Sequence, residues 1–467
     1  MSQAQLVSGP IGKHVRSIML PASIGLFFQT MYNVVDSFYA GQVSTTALAA
    51  MGLSFPVFLL IIATSGGLAR GASALIANAI GAEDEDSQRL YICQSLSLGI
   101  LASILLAATG FLAAPSLFTL LGATGEYHTL ATQYMNPIFA GSVFFIVSSV
   151  CNAILVASGD SKTFSKVLIV GFFLNLILDP WFLYGGLGLP SMGIAGIAWA
   201  TVLIQVFSST FMLMTVQRRG LLNLRPYQAL LPNLKAYREI AAQAVPACFN
   251  IMSVAMGFFV ITYFLKGYGK PTVAAFGVTT RIEQIGLLPT FGLYSAIMAL
   301  VGQNNGAKKY DRVRETMRVC NRVGLALILI TSTLIFLFAA QLMRVFTDDP
   351  KVIQIGVRYV HIMALIQWAY VMTSTHLAFL QAIKRPRYGF FESILRKVLL
   401  PLPLLWLFVA KQNAGVDAVW FTVAGANAFM TIISIIYAQT QLRKLTSPTT
   451  NRCRHQAYRS AKALQLD

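Results

Sequence analysis

Residues 67–82 spell GLARGASALIANAIGA, and residues 292–307, 225 positions further on, spell GLYSAIMALVGQNNGA. Gly67-Leu68 falls on Gly292-Leu293 and Gly81-Ala82 on Gly306-Ala307. The same shift places Pro21 on Pro246, Gly52 on Gly277, Arg89 on Arg314, Tyr134 on Tyr359 and Trp181 on Trp406. From Pro21 to Trp181 the register holds without a gap, so the chain consists of two homologous halves.

The two quoted stretches end long apolar runs, 47–81 and 272–303, and each run exceeds the roughly 20 residues that cross a bilayer. Only 11% of the 467 residues are charged and 56% are hydrophobic, against about a quarter charged in a soluble domain. In lipid every backbone polar group must be satisfied internally, and uninterrupted runs such as Ser95 to Leu112 and Val323 to Phe338 suit helices rather than alternating barrel strands. The reading is an all-α polytopic membrane protein with twelve transmembrane helices in two six-helix pseudo-symmetric lobes. Spans are expected near 15–41, 47–81, 90–113, 129–157, 163–184, 193–217, 239–265, 272–303, 320–343, 352–383, 388–410 and 416–442. The first lobe then covers 1–216, a linker containing Pro226 and Pro232 covers 217–238, the second lobe covers 239–442, and a basic tail covers 443–467. Six helices per lobe make parallel repeats related by an axis along the membrane normal, with a cleft between them.

The formal charge of +18 is an orientation signal rather than a nucleic-acid footprint. With these spans, 22 of the 35 Lys and Arg fall at the N-terminus, in the even-numbered loops or in the tail. By the positive-inside rule both termini are cytoplasmic, and the chain is expected in the inner (plasma) membrane. Arg396 and Lys397 are assigned to the same cytoplasmic bias. The five cysteines, Cys93, Cys151, Cys248, Cys320 and Cys453, have no metal or disulfide spacing. No cofactor is expected, and the chain is taken to be a monomer.

Buried acids break the internal symmetry, because Asp36 meets Ile261 and Asp179 meets Leu404 at the repeat offset. An ionisable group within a span marks a pathway, a pair or a relay. Gln29, Asn33 and Asp36 form one polar stripe on the first helix, and Asn175 and Asp179 form another on the fifth. Tyr134 and Asn152 on the fourth span and Thr201 on the sixth add hydroxyls and an amide. Two carboxylates sharing an apolar pocket cannot both ionise cheaply, so the pair is expected to take up a proton as a unit. Uptake turns an acceptor into a donor and rewires the surrounding bonds. Pro21, on the helix that carries Asp36, is the expected bending point. Because Asp36, Asn175, Asp179 and Thr201 offer only oxygen ligands, sodium is an alternative ion. Met31, Phe144, Gln29 and Asn33 are candidates for a substrate cavity wall. Arg281 and Glu283, two apart on the eighth span, do not face each other.

The Pro21-to-Asp36 first helix, the stretch Asn175-Leu-Ile-Leu-Asp179-Pro180 and the stretch from Gly193 to Thr201 together resemble the multidrug and toxic compound extrusion (MATE) family, and within it the DinF branch. The resemblance runs from Lys13 to Leu442. It implies secondary active efflux of bulky amphipathic or cationic drugs by alternating access, in exchange for a cation, read as a proton. It also implies that Asp36 is the coupling residue, that Asn175, Asp179, Asn152, Tyr134 and Thr201 form its network, and that the first helix bends at Pro21. The acids of the NorM branch's second lobe are missing between Pro246 and Phe264 and at Tyr370, which argues against a cation site there. A flippase for lipid-linked precursors would want a cationic cavity, for which only Arg70 and Arg281 are evident. An intramembrane aspartyl protease would want a Gly-x-Gly-Asp loop, whereas Asp179 sits in Ile-Leu-Asp-Pro. No hydrolase or phosphate-cradling motif appears, so the chain is not read as an enzyme.

Overall fold

The computed structural model describes residues 5–186, 188–222, 230–412 and 414–446. Pro226 of the linker, Cys453 and the basic tail from residue 447 onward lie outside the described residues. The chain is almost wholly helical. The first lobe comprises α1 (Ile11–Val43), α2 (Thr45–Gly81), α3 (Glu85–Leu120), α4 (Gly125–Ala140), α5 (Ser142–Ala157), α6 (Lys162–Tyr184) and α7 (Ile194–Arg218). The second comprises α8 (Leu234–Leu265), α9 (Lys270–Gly306), α10 (Tyr310–Leu337), α11 (Ala339–Arg344), α12 (Pro350–Ala382), α13 (Arg387–Ile394), α14 (Pro401–Leu405) and α15 (Val416–Thr446).

Ten of these helices are each long and apolar enough to cross a membrane, and α4 with α5 forms an eleventh crossing bent by 49°. The bend has a local cause: Pro137 withholds one helical hydrogen bond, and Gly141 at the joint leaves room where a Cβ would meet Val202 at 2.6 Å. The twelfth crossing, expected as one helix over 388–410, is instead α13 and α14 joined and followed by π-helical turns at Leu395–Leu399 and Trp406–Lys411. Pro401 and Pro403 lie between the turns, and the backbone widens to i→i−5 bonds such as Leu400 N–H to Leu395 O at 2.8 Å. Their first-lobe counterparts, Leu176 and Leu178, leave α6 unbroken.

α2 and α9 are the longest helices, at 37 residues each, and they carry the two repeated stretches quoted at the outset. Those stretches are the seam between the lobes. A Cβ on Gly81 would lie 1.8 Å from the Gln303 carbonyl oxygen, and one on Gly306 would lie 2.0 Å from that of Asn78. Asn78 and Gln303 are themselves repeat partners. Asn78 Nδ2 donates to Ala382 O at 2.8 Å, and Gln303 Nε2 donates to Ala157 O at 2.7 Å, where Ala157 and Ala382 are again partners. Gly67 closes on Cys248 as Gly292 closes on Ser23. Contact by contact, the duplication has become a pseudo-twofold interface, which only glycine allows to approach so closely.

Residues 71–81 of α2 and 296–304 of α9 are buried on nearly every side. Towards the other ends of both helices burial is confined to one face, and Gly52 and Gly277 have nothing within 4 Å of an added Cβ. The lobes therefore meet at the end that carries the termini and part at the opposite end, leaving a cleft. The N-terminal segment ties down the closed end: Leu6 N–H donates to Gln303 Oε1 at 3.3 Å, and Arg312 donates to the carbonyls of Leu6, Ser8 and Gly9.

Outside the spans, Asp84 caps α3 by accepting from Ser87 N–H at 2.9 Å. The Ser87 backbone amide, then its side chain, then Lys384 hold the Asp84 carboxyl below its ordinary value, against the opposing effect of burial. A depressed carboxylate contributes stability above its unfolded value and loses it as pH falls through its folded value. Asp84→Ala is expected to cost about 1 kcal/mol at neutral pH. The gap to wild type should close as pH drops below about 4, read as thermal midpoints of the purified protein at several pH values.

Candidate functional site

α1, α6 and α7 pack together in the first lobe and bring Asp36, Asn175, Asp179 and Thr201 to one point. Asp36 is 3% exposed, Thr201 4%, and Asn175 and Asp179 are fully buried. Asn175 Nδ2 donates to Asp36 Oδ1 at 2.8 Å, and Thr201 Oγ1 approaches Asp36 Oδ2 at 3.5 Å while also donating to Ile197 O at 3.0 Å. Asp179 is buried close enough to Asp36 for the two carboxyls to act on each other electrostatically. Neither Asp179 oxygen, nor Asn175 Oδ1, meets a donor among the described residues. Two neighbouring buried carboxyls, of which Asp179 meets no donor, call for a proton or another cation between them, because their mutual repulsion in an apolar setting is otherwise uncompensated.

Tyr134 of α4 is buried within electrostatic reach of both carboxyls. Tyr32, one turn before Asp36 on α1, directs a buried hydroxyl into the same group. The sequence reading passed over Tyr32, although its i, i+4 spacing to Asp36 was the available signal.

Asn152 does not join the set. It is half-buried near the far end of α5, 18 residues past Tyr134, or ~27 Å along the helical path. Gln29 and Asn33 are exposed on α1, and Met31 and Phe144 are half-buried, so none touches the carboxyl pair.

Pro21 lies 15 residues from Asp36, ~22 Å along α1. The helix runs through Pro21 unbroken. Proline cannot donate to Ser17 O; Ser161 Oγ sits 3.4 Å from that carbonyl and donates to Ile18 O at 2.8 Å, and Ser165 Oγ meets Pro21 O at 2.5 Å. Two hydroxyls from the start of α6 thus brace the point that the proline weakens. At the repeat offset they become Pro386 and Phe390, which have none.

The second lobe corrects the expectation that only the first half buries acids. Glu392 is 1% exposed and pairs with Arg396, 7% exposed, at 2.6 Å. Arg396 also donates to Asn427 Oδ1 at 2.9 Å. Glu283 accepts from Tyr359 Oη at 3.3 Å and forms no ion pair with Arg281, which is exposed. Tyr134 and Tyr359 are repeat partners, so each lobe sets this tyrosine near an acid, supplied by different helices. Arg396 and Lys397 were read as cytoplasmic orientation charges, yet Arg396 is interior and Lys397 bonds to α8. Glu392→Gln is expected to destabilise the protein by about 3–5 kcal/mol, because it leaves Arg396 buried and unpaired. Replacing both members, Glu392→Leu with Arg396→Met, should cost less; chemical denaturation in detergent checks the order.

The family model MatE matches residues 21–181 and again 246–407, so the two matches coincide with the two repeats. The chain belongs to the MatE family. Its members are transporters rather than enzymes, and this MatE chain is a multi-pass membrane protein built on their frame. It is similar to the "Probable multidrug resistance protein NorM" of Thermotoga maritima, 26% identical over 427 residues, covering 91% of this chain and 92% of that one. It is also similar to the "FAD transporter" of Shewanella oneidensis, 28% identical over 442 residues, covering 93% and 96%. Among solved structures, an outward-facing "multidrug resistance MATE family transporter of the MOP superfamily" superposes with a TM-score of 0.89 at 26% identity, covering 96% of this chain and 99% of that chain.

Proposed function

We propose that this MatE chain is a secondary antiporter of the cytoplasmic membrane that exchanges protons for bulky amphipathic substrates, cationic drugs among them, by alternating access. The observation that carries the reading is the burial of two neighbouring carboxyls: Asp36, which accepts from Asn175 and Thr201, and Asp179, whose oxygens meet no donor among the described residues. A proton bridging them converts one carboxyl from acceptor to donor and reorders the bonds to Asn175 and Thr201. Those bonds join α1 to α6 and α7, so a change in them is felt along α1 down to the Pro21 brace. With both termini cytoplasmic, the cleft opens outward and the Asp36 group lies in the outer part of its lobe, within reach of external protons. The relatives named as multidrug proteins support drug-like substrates.

One observation favours sodium as the second reading: Asn175 Oδ1 and both Asp179 oxygens are acceptors turned toward no donor, a set that suits a hard cation. Efflux from proteoliposomes separates the two. A pH gradient without sodium should drive export, and a sodium gradient with pH clamped should not; export under the sodium gradient alone would replace the proton with sodium.

A further inference from the structure

We propose that a cavity between α10, α12 and α15, at the end of the second lobe that carries the termini, binds the phosphate of an anionic phospholipid through Arg314, Arg318 and Arg443. The inference concerns the lobe that lacks the Asp36 group and does not depend on the coupling ion.

The cavity measures about 370 Å³, within the range of about 300–1,000 Å³ typical of small-ligand sites. Arg314 and Arg318 line it from α10 and Arg443 from α15, while Met317, Phe379 and Leu442 give it an apolar wall. None of the three arginines forms an ion pair among the described residues, not even with Glu315, which lies between two of them in sequence. Arg314 donates to the neutral Thr446 Oγ1 at 2.8 Å. Arg314, Arg318 and Arg322 follow one another at four-residue steps, and like charges at that spacing destabilise a helix. An anion beside them offsets that repulsion. The sequence after α15 supplies little counter-charge, since residues 447–467 hold four Lys or Arg and one acid, Asp467.

Two neutral groups complete the lining. Asn321 Oδ1 accepts from Thr375 Oγ1 at 3.0 Å, and its Nδ2 has no partner among the described residues. His376, 4% exposed, meets Met372 O through Nδ1 at 2.6 Å, and its other ring nitrogen has no partner among the described residues.

The duplication supplies an internal control. At the repeat offset Met317, Arg318, Asn321, His376 and Ala438 become Ile92, Cys93, Leu96, Cys151 and Leu213. In the first lobe these belong to one packed apolar cluster, which Leu221 and Leu222 join from beyond α7. Thr446 and Ser447 stand where those two leucines would be in the second lobe. Arg89 and Arg218, the partners of Arg314 and Arg443, therefore flank a filled core. Orientation in the membrane accounts for arginines at the ends of helices in both lobes; it does not account for a cavity in one of them.

The faces leading away from the cavity point to a lipid. Arg443, Gln439, Ile436 and Ile432 share one face of α15, and Arg318, Asn321, Leu325 and Leu329 share one face of α10. Ile432, Ile436 and Leu329 are exposed. Each stripe begins in a cation and continues in exposed aliphatics, which matches an anionic headgroup followed by acyl chains. A soluble anion would use only the first part.

The test titrates the full-length protein in detergent with phosphatidylglycerol or phosphatidylcholine and counts bound lipids by native mass spectrometry. Wild type is expected to hold one phosphatidylglycerol at least about tenfold more tightly than phosphatidylcholine. Arg318→Gln combined with Arg443→Gln should erase the preference while phosphatidylcholine still binds, which also reports an intact fold. Arg318→Lys with Arg443→Lys should keep most of it, and Arg89→Gln with Arg218→Gln in the first lobe should keep all of it. Equal binding of the two lipids by wild type, or a preference that survives in the Arg318 and Arg443 glutamine variant, overturns the site. An equal loss in the first-lobe variant also overturns it, because diffuse surface charge would then be the cause. Glycerophosphoglycerol, the same headgroup without chains, should fail to displace the lipid at equal concentration; displacement would assign the cavity to a soluble anion and overturn the lipid.

Discussion

Asp36→Asn is expected to reduce pH-driven export to background, at least about a hundredfold below wild type, while the protein still folds and still binds substrate. The substitution is nearly isosteric. Asn175 keeps an acceptor for its 2.8 Å bond, and the new amide donates to the orphaned Asp179 oxygens, so thermal stability should hold or rise. What disappears is the proton that the pair exchanges. Asp179→Asn should act in the same direction. Glu283→Gln should leave pH-driven export above background, because that acid faces Tyr359 in the other lobe. Export assays in proteoliposomes under an imposed pH gradient decide the matter; unimpaired export by Asp36→Asn would remove the coupling role.

Gly81→Val and Gly306→Val are expected to abolish transport for an unrelated reason. Each added Cβ would run into a backbone carbonyl, of Gln303 or of Asn78, at 1.8 or 2.0 Å, and a carbonyl within a helix cannot swing aside as a side-chain tip does. The helices must separate, which breaks the Asn78 to Ala382 and Gln303 to Ala157 bonds and holds the lobes apart at the closed end. Overpacking of this kind costs about 1–3 kcal/mol, so the protein should still be recovered from membranes. The matched controls are Gly52→Ala and Gly277→Ala, where nothing lies within 4 Å, and these should export close to wild type. Equal export by the seam and control variants would show that the seam does not need to close.

Much of the architecture was legible in the sequence because duplication preserves glycines and prolines whose positions are fixed by backbone geometry. Gly67, Gly81, Gly292 and Gly306 mark the repeat and also make the interface. Asp36 and Asp179 were conspicuous because a carboxyl in an apolar run has few innocuous explanations. Asn152 was grouped with them because sequence gives little measure of depth, and the bend at Gly141 lies between it and Tyr134. Gln29 and Asn33 share a helical stripe with Asp36, but the stripe straddles the edge of the packed surface, so only Asp36 turns inside. Glu392, Arg396 and Lys397 were hidden by their place near the start of a span, where snorkelling accounts for basic residues. Their inward turn depends on the π-helical widening before Pro401, and a periodicity of 3.6 does not describe that widening.

The central claim is that one proton is held between Asp36 and Asp179. Infrared difference spectra of protein labelled with carbon-13 at the aspartate carboxyls isolate it, since the remaining described aspartates lie outside the helix-packed interior. A protonated aspartate carbonyl band should be present at neutral pH and vanish in both Asp36→Asn and Asp179→Asn. Spectra showing every aspartate ionised at neutral pH, or a protonated band that persists in both variants, would contradict the account.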